Sequence, residues 1–138
     1  MTDRFKFRVW DKRKNTYLKD FVFNFINKAP YITVEYFDNE YEYTHTFEED
    51  EIIVEQCTGL KDKNGKLIYE GDVVYSPFDN GTKKVIFWDN YLARFMAYNR
   101  YPDKRFYQGI SSKYFIELEF EVIGNIHENA DLLENNND

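Results

Sequence analysis

Apolar and polar positions alternate along most of this chain. Phe5, Phe7 and Val9 interleave with Arg4, Lys6 and Arg8, a period of two that predicts a strand with one buried and one wet face. After a polar turn at residues 11–15, a second extended run covers residues 17–26, with Phe21, Phe23 and Phe25 at alternate positions. Pro30 interrupts it, because proline has no N–H to give to a central sheet ladder. Residues 31–37 and 41–47 are β-rich runs joined by Asp38, Asn39 and Glu40, which predicts a hairpin. An acidic loop at residues 48–51 then leads into a strand over residues 52–56.

From Cys57 onward the turn signals crowd together. Thr58-Gly59, Asn64-Gly65 and Asn80-Gly81 predict chain reversals, since Asn and Gly tolerate the positive φ angles of tight turns. Glu70-Gly71-Asp72 marks a further corner before the apolar run Val73, Val74 and Tyr75. Strands are expected over residues 66–69, 73–75, 83–88, 92–98, 113–117 and 119–123, with a loop tip at 101–104. Asn129 followed by Ala130, Asp131, Leu132, Leu133 and Glu134 pairs a capping residue with good helix formers, so a short helix is expected there. The change in turn spacing places a boundary near Glu55. The expected organisation is an N-terminal β segment over residues 1–55, a small barrel of short strands over 56–128, and a short helix with a disordered polar tail over 129–138.

Composition sharpens this picture in three ways. Aromatic residues make up 20% of the 138 positions, and they suit a pleated, half-buried surface, which strengthens the β reading. A chain of this length buries enough surface to fold without staples, and its one cysteine, Cys57, cannot form an internal bridge, so a reducing cytosol is the simpler compartment. The opening residues do not resemble a secretory signal, and no apolar run is long enough to cross a bilayer as a helix, so no membrane partner is expected. The net charge of −7 argues against general nucleic-acid binding, which needs an excess of Lys and Arg.

Candidate chemistry is sparse. His45, His127 and Cys57 lie at no metal-ligand spacing, so neither a metal site nor a cofactor is expected. The carboxylates at 48–51 and at Glu117, Glu119 and Glu121 read as solvated faces, Cys57 as a small buried hydrophobe, and no phosphate-cradling loop or nucleophile elbow is present. No catalytic residue is assigned. One local charge cluster stands out: Arg4, Lys6, Arg8, Lys12, Arg13 and Lys14, interrupted only by Asp11. Beside Trp10 it would suit a nucleic-acid backbone with one stacked base; it suits equally a solvated face, or a partner for the acidic loop at 48–51. Aromatics supply a second candidate surface, a peptide groove drawn from Tyr75, Phe78, Trp88, Tyr91, Phe95, Tyr98, Tyr101, Phe106 and Tyr107.

Three blocks carry a family resemblance: FKFRVWD at residues 5–11, CTGLKDKNGKLIYEGDVV at 57–74 and EVIGNIHEN at 121–129. In this order they resemble the YopX family. The resemblance implies a phage or prophage protein in the cytoplasm of a bacterial host, with an SH3-like β-barrel in its C-terminal part, and it carries over no catalytic residue. The fold expectation is therefore mostly β: an SH3-like barrel in the C-terminal half, an N-terminal β-hairpin or sheet, and a short C-terminal helix. The functional expectation is a noncatalytic accessory module that binds a host or phage protein, self-association into a homo-oligomer included. The alternatives are a nucleic-acid-binding module using the basic N-terminal strand, and an enzyme of unrecognised type.

Overall fold

A computed structural model describes residues 3–19, 21–25, 32–38, 41–47, 50–79, 81–100 and 103–136. The chain divides into two units, Arg8–Glu55 and Met1–Phe7 with Gln56–Asp138. Both are built from antiparallel strands.

In the Arg8–Glu55 unit, β1 (Phe7–Asp11) pairs with β2 (Thr16–Tyr17) around a turn closed by Asn15 at φ 52°. β3 (Phe21–Phe25), β4 (Ile32–Asp38) and β5 (Tyr41–Phe47) form a three-stranded sheet in that order. The hairpin expected from the two β-rich runs is present, with Val34 opposite His45 and Tyr36 opposite Tyr43. Pro30 and the start of the acidic loop, residues 48 and 49, lie outside the described residues. Among the described residues, Val9 and Ile52 form a small core with Leu18, Phe21 and Val54 packed against it.

The other unit opens with a 3-10 helix at Asp3–Phe5. β6 (Ile52–Lys61) begins in the first unit and ends in this one, where it pairs with β7 (Leu67–Tyr69). Then follow β8 (Asp72–Tyr75), β9 (Lys84–Asp89), β10 (Arg94–Arg100), β11 (Asp103–Gly109), helix α1 (Ser112–Glu117) and β12 (Glu121–Asn125). β8 to β12 make a five-stranded sheet in the order β11-β10-β9-β8-β12. Ile68, Val74, Ile86, Ala97, Phe115 and Phe120 form its core, with Leu60, Ile110, Tyr114, Leu118 and Val122 around them. The Phe115 and Phe120 rings meet edge to face at 4.9 Å, a favoured aromatic geometry.

Several expectations need correction. Thr58-Gly59 does not reverse the chain. β6 runs straight through it, and a register shift between Cys57 and Lys61 absorbs the extra residues as a bulge. Gly59 sits there at φ +83° beside Arg4, and that left-handed conformation is what calls for glycine. Residues 113–117 form α1 rather than a strand: Ser111 caps the helix by accepting the Tyr114 N–H, and Phe115 is buried with Tyr114 packed against the same core. The loop expected at 101–104 is shorter, because β11 already begins at Asp103. Residues 101 and 102 are outside the described set, as is Asn80 of the second Asn-Gly pair. At the C-terminus Ala130–Asn136 forms a 3-10 helix, so residues 135 and 136 of the expected tail are helical. Gly124 allows that helix to approach β12: a Cβ there would fall 2.6 Å from Asn129 Oδ1 and 2.8 Å from Leu132 Cδ1.

Candidate functional site

The basic N-terminal cluster does not form the strand face expected of it. Asp3–Phe5 turns into a 3-10 helix, with the Lys6 N–H donating to the Asp3 carbonyl. Arg4 and Lys6 therefore precede β1, and they belong to a different unit from Arg8. Arg4 stacks its guanidinium on Phe5 at 5.2 Å, and Lys6 pairs with Asp3 at 3.2 Å. Arg8 donates to Glu55 at 2.8 Å and lies over the Tyr17 ring, whose hydroxyl donates to the same carboxylate oxygen at 2.8 Å. Glu55 is only 2% exposed, and a buried carboxylate of this kind must be paired. Arg13 pairs with Glu51 at 3.1 Å and contacts Asp11, which ties the basic turn to the acidic loop. Lys12 and Lys14 are exposed in that turn. Trp10 is 6% exposed and packs edge to face on Tyr17 at 5.0 Å, so its ring faces are taken and no base can stack there.

Several groups that could do acid–base or nucleophilic chemistry hold structural roles. Asp62 accepts the Asn64, Lys66 and Val122 N–H groups, bracing the Asn64-Gly65 turn against β12. Asp72 accepts the Tyr69 N–H, and Glu70 the Gln56 N–H. Cys57 is fully buried, and burial pushes its thiol above its ordinary value, away from the reactive thiolate. Among the described residues, no three His, Cys, Asp or Glu gather as a metal site would require.

A buried polar knot lies behind the five-stranded sheet. Lys84, 2% exposed, pairs with Asp79 and donates to Gln108 at 2.8 Å and Tyr114 at 3.1 Å. Its ammonium also lies 5.7 Å from the Tyr114 and Phe120 ring centres. Burial, followed by the hydrogen bond to Asp79, pushes the Tyr114 phenol far above its ordinary value. The knot joins β9, β11 and α1, and so fixes the helix on the sheet. Its burial keeps it from solutes.

The aromatic surface is better placed. The β9–β10 hairpin ends in a four-residue loop, with Ala93 at φ 53°. Asp89 organises that loop: Oδ1 accepts the Tyr91 and Leu92 N–H groups at 2.9 Å each, and Oδ2 accepts the Tyr98 hydroxyl at 3.0 Å. Tyr98 is thereby buried, and desolvation together with this bond raises its phenol to about 12. Outward from the anchor stand Tyr91, 95% exposed, Trp88, 42% exposed, and Leu92. Trp88 faces Phe95 across the two strands, the rings edge to face at 5.1 Å. Of the other aromatics considered from sequence, Phe78 and Tyr107 are exposed, Tyr75 is half-buried, and the side chains of Tyr101 and Phe106 lie outside the described set. Sequence reasoning included Trp88 and Tyr91 among nine candidates but missed Leu92 and the role of Asp89. An Asp just before a loop with two exposed apolar residues is a signal that could have found them.

The fold and this tip define an antiparallel β protein that presents a braced aromatic hairpin to solvent. The chain matches the YopX protein family over residues 6–134, and it belongs to that family. Among solved structures it is similar to protein EF1440 from Enterococcus faecalis, with 26% identity and a TM-score of 0.64 over 94% of this chain and 97% of that one. No curated protein is significantly similar in sequence.

Proposed function

We propose that this YopX-family chain is a noncatalytic binding module that recognises a host or phage protein through the β9–β10 hairpin tip. The observation that carries the reading is the display of Trp88, Tyr91 and Leu92 at a hairpin tip whose loop gives two backbone hydrogen bonds to Asp89, itself held by the Tyr98 hydroxyl. Tyr and Trp dominate binding hot spots because they bury much area while losing little rotamer freedom. A braced loop lowers the ordering cost further. The absence of chemistry in this reading rests on the carboxylates and the thiol described above, which are committed to backbone and guanidinium partners or buried.

We read the second unit as an SH3-like barrel. Its order β12-β8-β9-β10-β11 sets the last strand beside the first, and a short helix links the fourth and fifth strands. In such barrels, aromatic side chains near the strand-joining loops take peptides. We place its action in the cytoplasm of a phage-carrying bacterium. The nucleic-acid alternative on the N-terminal basic cluster has less support, since Arg8 and Arg13 are paired with carboxylates and Trp10 is buried.

The test is affinity capture from bacterial lysate, before and after phage infection, with nuclease present, using wild type and the double variant Trp88→Ala, Tyr91→Ala. A protein retained by wild type through nuclease treatment and lost by the variant supports the reading. Capture that disappears with nuclease refutes it in favour of nucleic acid.

A further inference from the structure

β11 is the terminal strand of the five-stranded sheet, and its inner side is taken by β10, with Met96 opposite Gly109 and Tyr98 opposite Tyr107. A terminal strand turns its other row of N–H and C=O groups outward, where an added strand can pair with them. Two side chains mark this edge. Arg94, the first residue of β10, is exposed, and its guanidinium occupies the place that a side chain at Gly109 would fill. A Cβ on Gly109 would fall 2.2 Å from Arg94 Nη2 and 2.5 Å from Cζ. The missing side chain thus lets a cation reach across β11. Two residues earlier, on the same face of the strand, Tyr107 is 47% exposed and rests edge to face on buried Tyr98 at 6.1 Å. A cation and an aromatic ring therefore follow each other at the two-residue spacing of an extended partner.

Charge selects the occupant. The stretch from Arg94 to Gly109 contains Arg94, Arg100, Lys104 and Arg105 against Asp103 alone, in a chain whose net charge is −7. A second copy laid on the same edge would bring two basic sets together, which is unfavourable across paired strands. An acidic strand is complementary, and a guanidinium can hold a carboxylate by two parallel bonds. A nucleic acid would use the charge but not the outward row of backbone groups.

We propose that the outer edge of β11 takes an extended acidic peptide segment as an added strand, with Arg94 receiving a carboxylate beside Gly109. This rests on the reading of the chain as a protein-binding module and names the chemistry of its partner. The probe is an eight-residue peptide of alternating Val and Glu, blocked at both ends and titrated to millimolar concentration into the isotope-labelled full chain. The expected result is amide shifts concentrated in β11 together with a shift of Arg94 Nε. Arg94→Gln should weaken binding at least fivefold. Gly109→Ala displaces only the flexible end of Arg94, so the fold persists while the preference for Glu over Lys peptides falls.

Failure of the β11 amides to move, or an equal response to the Val-Lys peptide, overturns the proposal. So does a stronger response of the same amides to oligothymidylate, which would assign the edge to nucleic acid, or concentration-dependent β11 shifts without peptide, which would assign it to a second copy. The two readings also separate in the capture experiment. A captured protein lost with Trp88→Ala, Tyr91→Ala but fully kept by Arg94→Gln leaves the module standing and removes the acidic edge. A protein kept by both variants removes both.

Discussion

Replacing Lys84 with Met tests whether the buried polar knot holds α1 on the sheet. Lys84 is 2% exposed, and its ammonium has three polar partners, Asp79, Gln108 and Tyr114, and two ring neighbours. Methionine keeps the length and apolar stem of the side chain, so the cavity contribution is small. The main loss is electrostatic, because Asp79 is left as a largely buried carboxylate without its cation. Breaking a buried pair from one side costs about 3–5 kcal/mol. Removing the desolvation cost of the ammonium offsets part of this, giving an expected loss of about 3 kcal/mol. That is a large fraction of the ~5–15 kcal/mol that typically holds a domain folded. Adding Asp79→Asn removes the stranded charge and should restore about half of the loss, about 1–2 kcal/mol. Urea unfolding of wild type, both single variants and the double, followed by circular dichroism and tryptophan fluorescence, measures all four corners. A Lys84→Met loss under about 1 kcal/mol, or a double variant less stable than Lys84→Met alone, would refute the structural role assigned to the pair.

Two further outcomes follow from buried titratable groups. The Tyr98 phenol is raised from 10.0 to about 12 in the folded chain, chiefly by burial and then by its bond to Asp89. A raised value favours the neutral form in the folded state, so this stabilisation is complete below pH 10 and is lost as pH climbs towards 12, amounting to about 2–3 kcal/mol. Alkaline unfolding curves should show that decline in wild type and a shallower one in Tyr98→Phe; parallel curves would contradict it. Cys57 is fully buried with its thiol raised, so a disulfide-exchange reagent should label it at least a hundredfold more slowly in the native chain than in urea. Rapid native labelling would place the thiol elsewhere than in the core.

β architecture was legible in the sequence from alternation, β-rich runs and turn residues. The hairpin of β4 and β5 was legible from two β-rich runs around a polar linker. So was the corner at Gly71, which takes φ +82° just before β8. The bulge at Gly59 was not legible, because a glycine that takes a positive φ within a bulged strand looks the same as one that turns the chain. Likewise, Lys113 to Glu117 has too few apolar positions to separate a one-turn helix from a short strand. The Ser111 cap decides it, and its effect emerges only with the backbone conformation. For the basic cluster the sequence left three readings open, a partner for the acidic loop among them, and only the structure shows that Arg13 pairs with Glu51. The cluster's carboxylate partners Glu51 and Glu55 lie some forty residues away in sequence, and pairing at that distance leaves no local pattern. The aromatic tip was within reach as composition, but only the Asp89 hydrogen bonds separate displayed Tyr91 from buried Tyr98.

The most direct test of the binding-module reading is a quantitative capture comparison with three proteins: wild type, Trp88→Ala with Tyr91→Ala, and Arg4→Glu with Lys6→Glu and Lys12→Glu. All three are applied to nuclease-treated lysate of infected and uninfected cells. The expected result is a protein enriched by wild type and by the charge-reversed variant, and reduced at least tenfold by the aromatic variant. Enrichment that survives loss of the aromatic tip and vanishes with the charge reversal would contradict the account and return the N-terminal cations to the centre of the function.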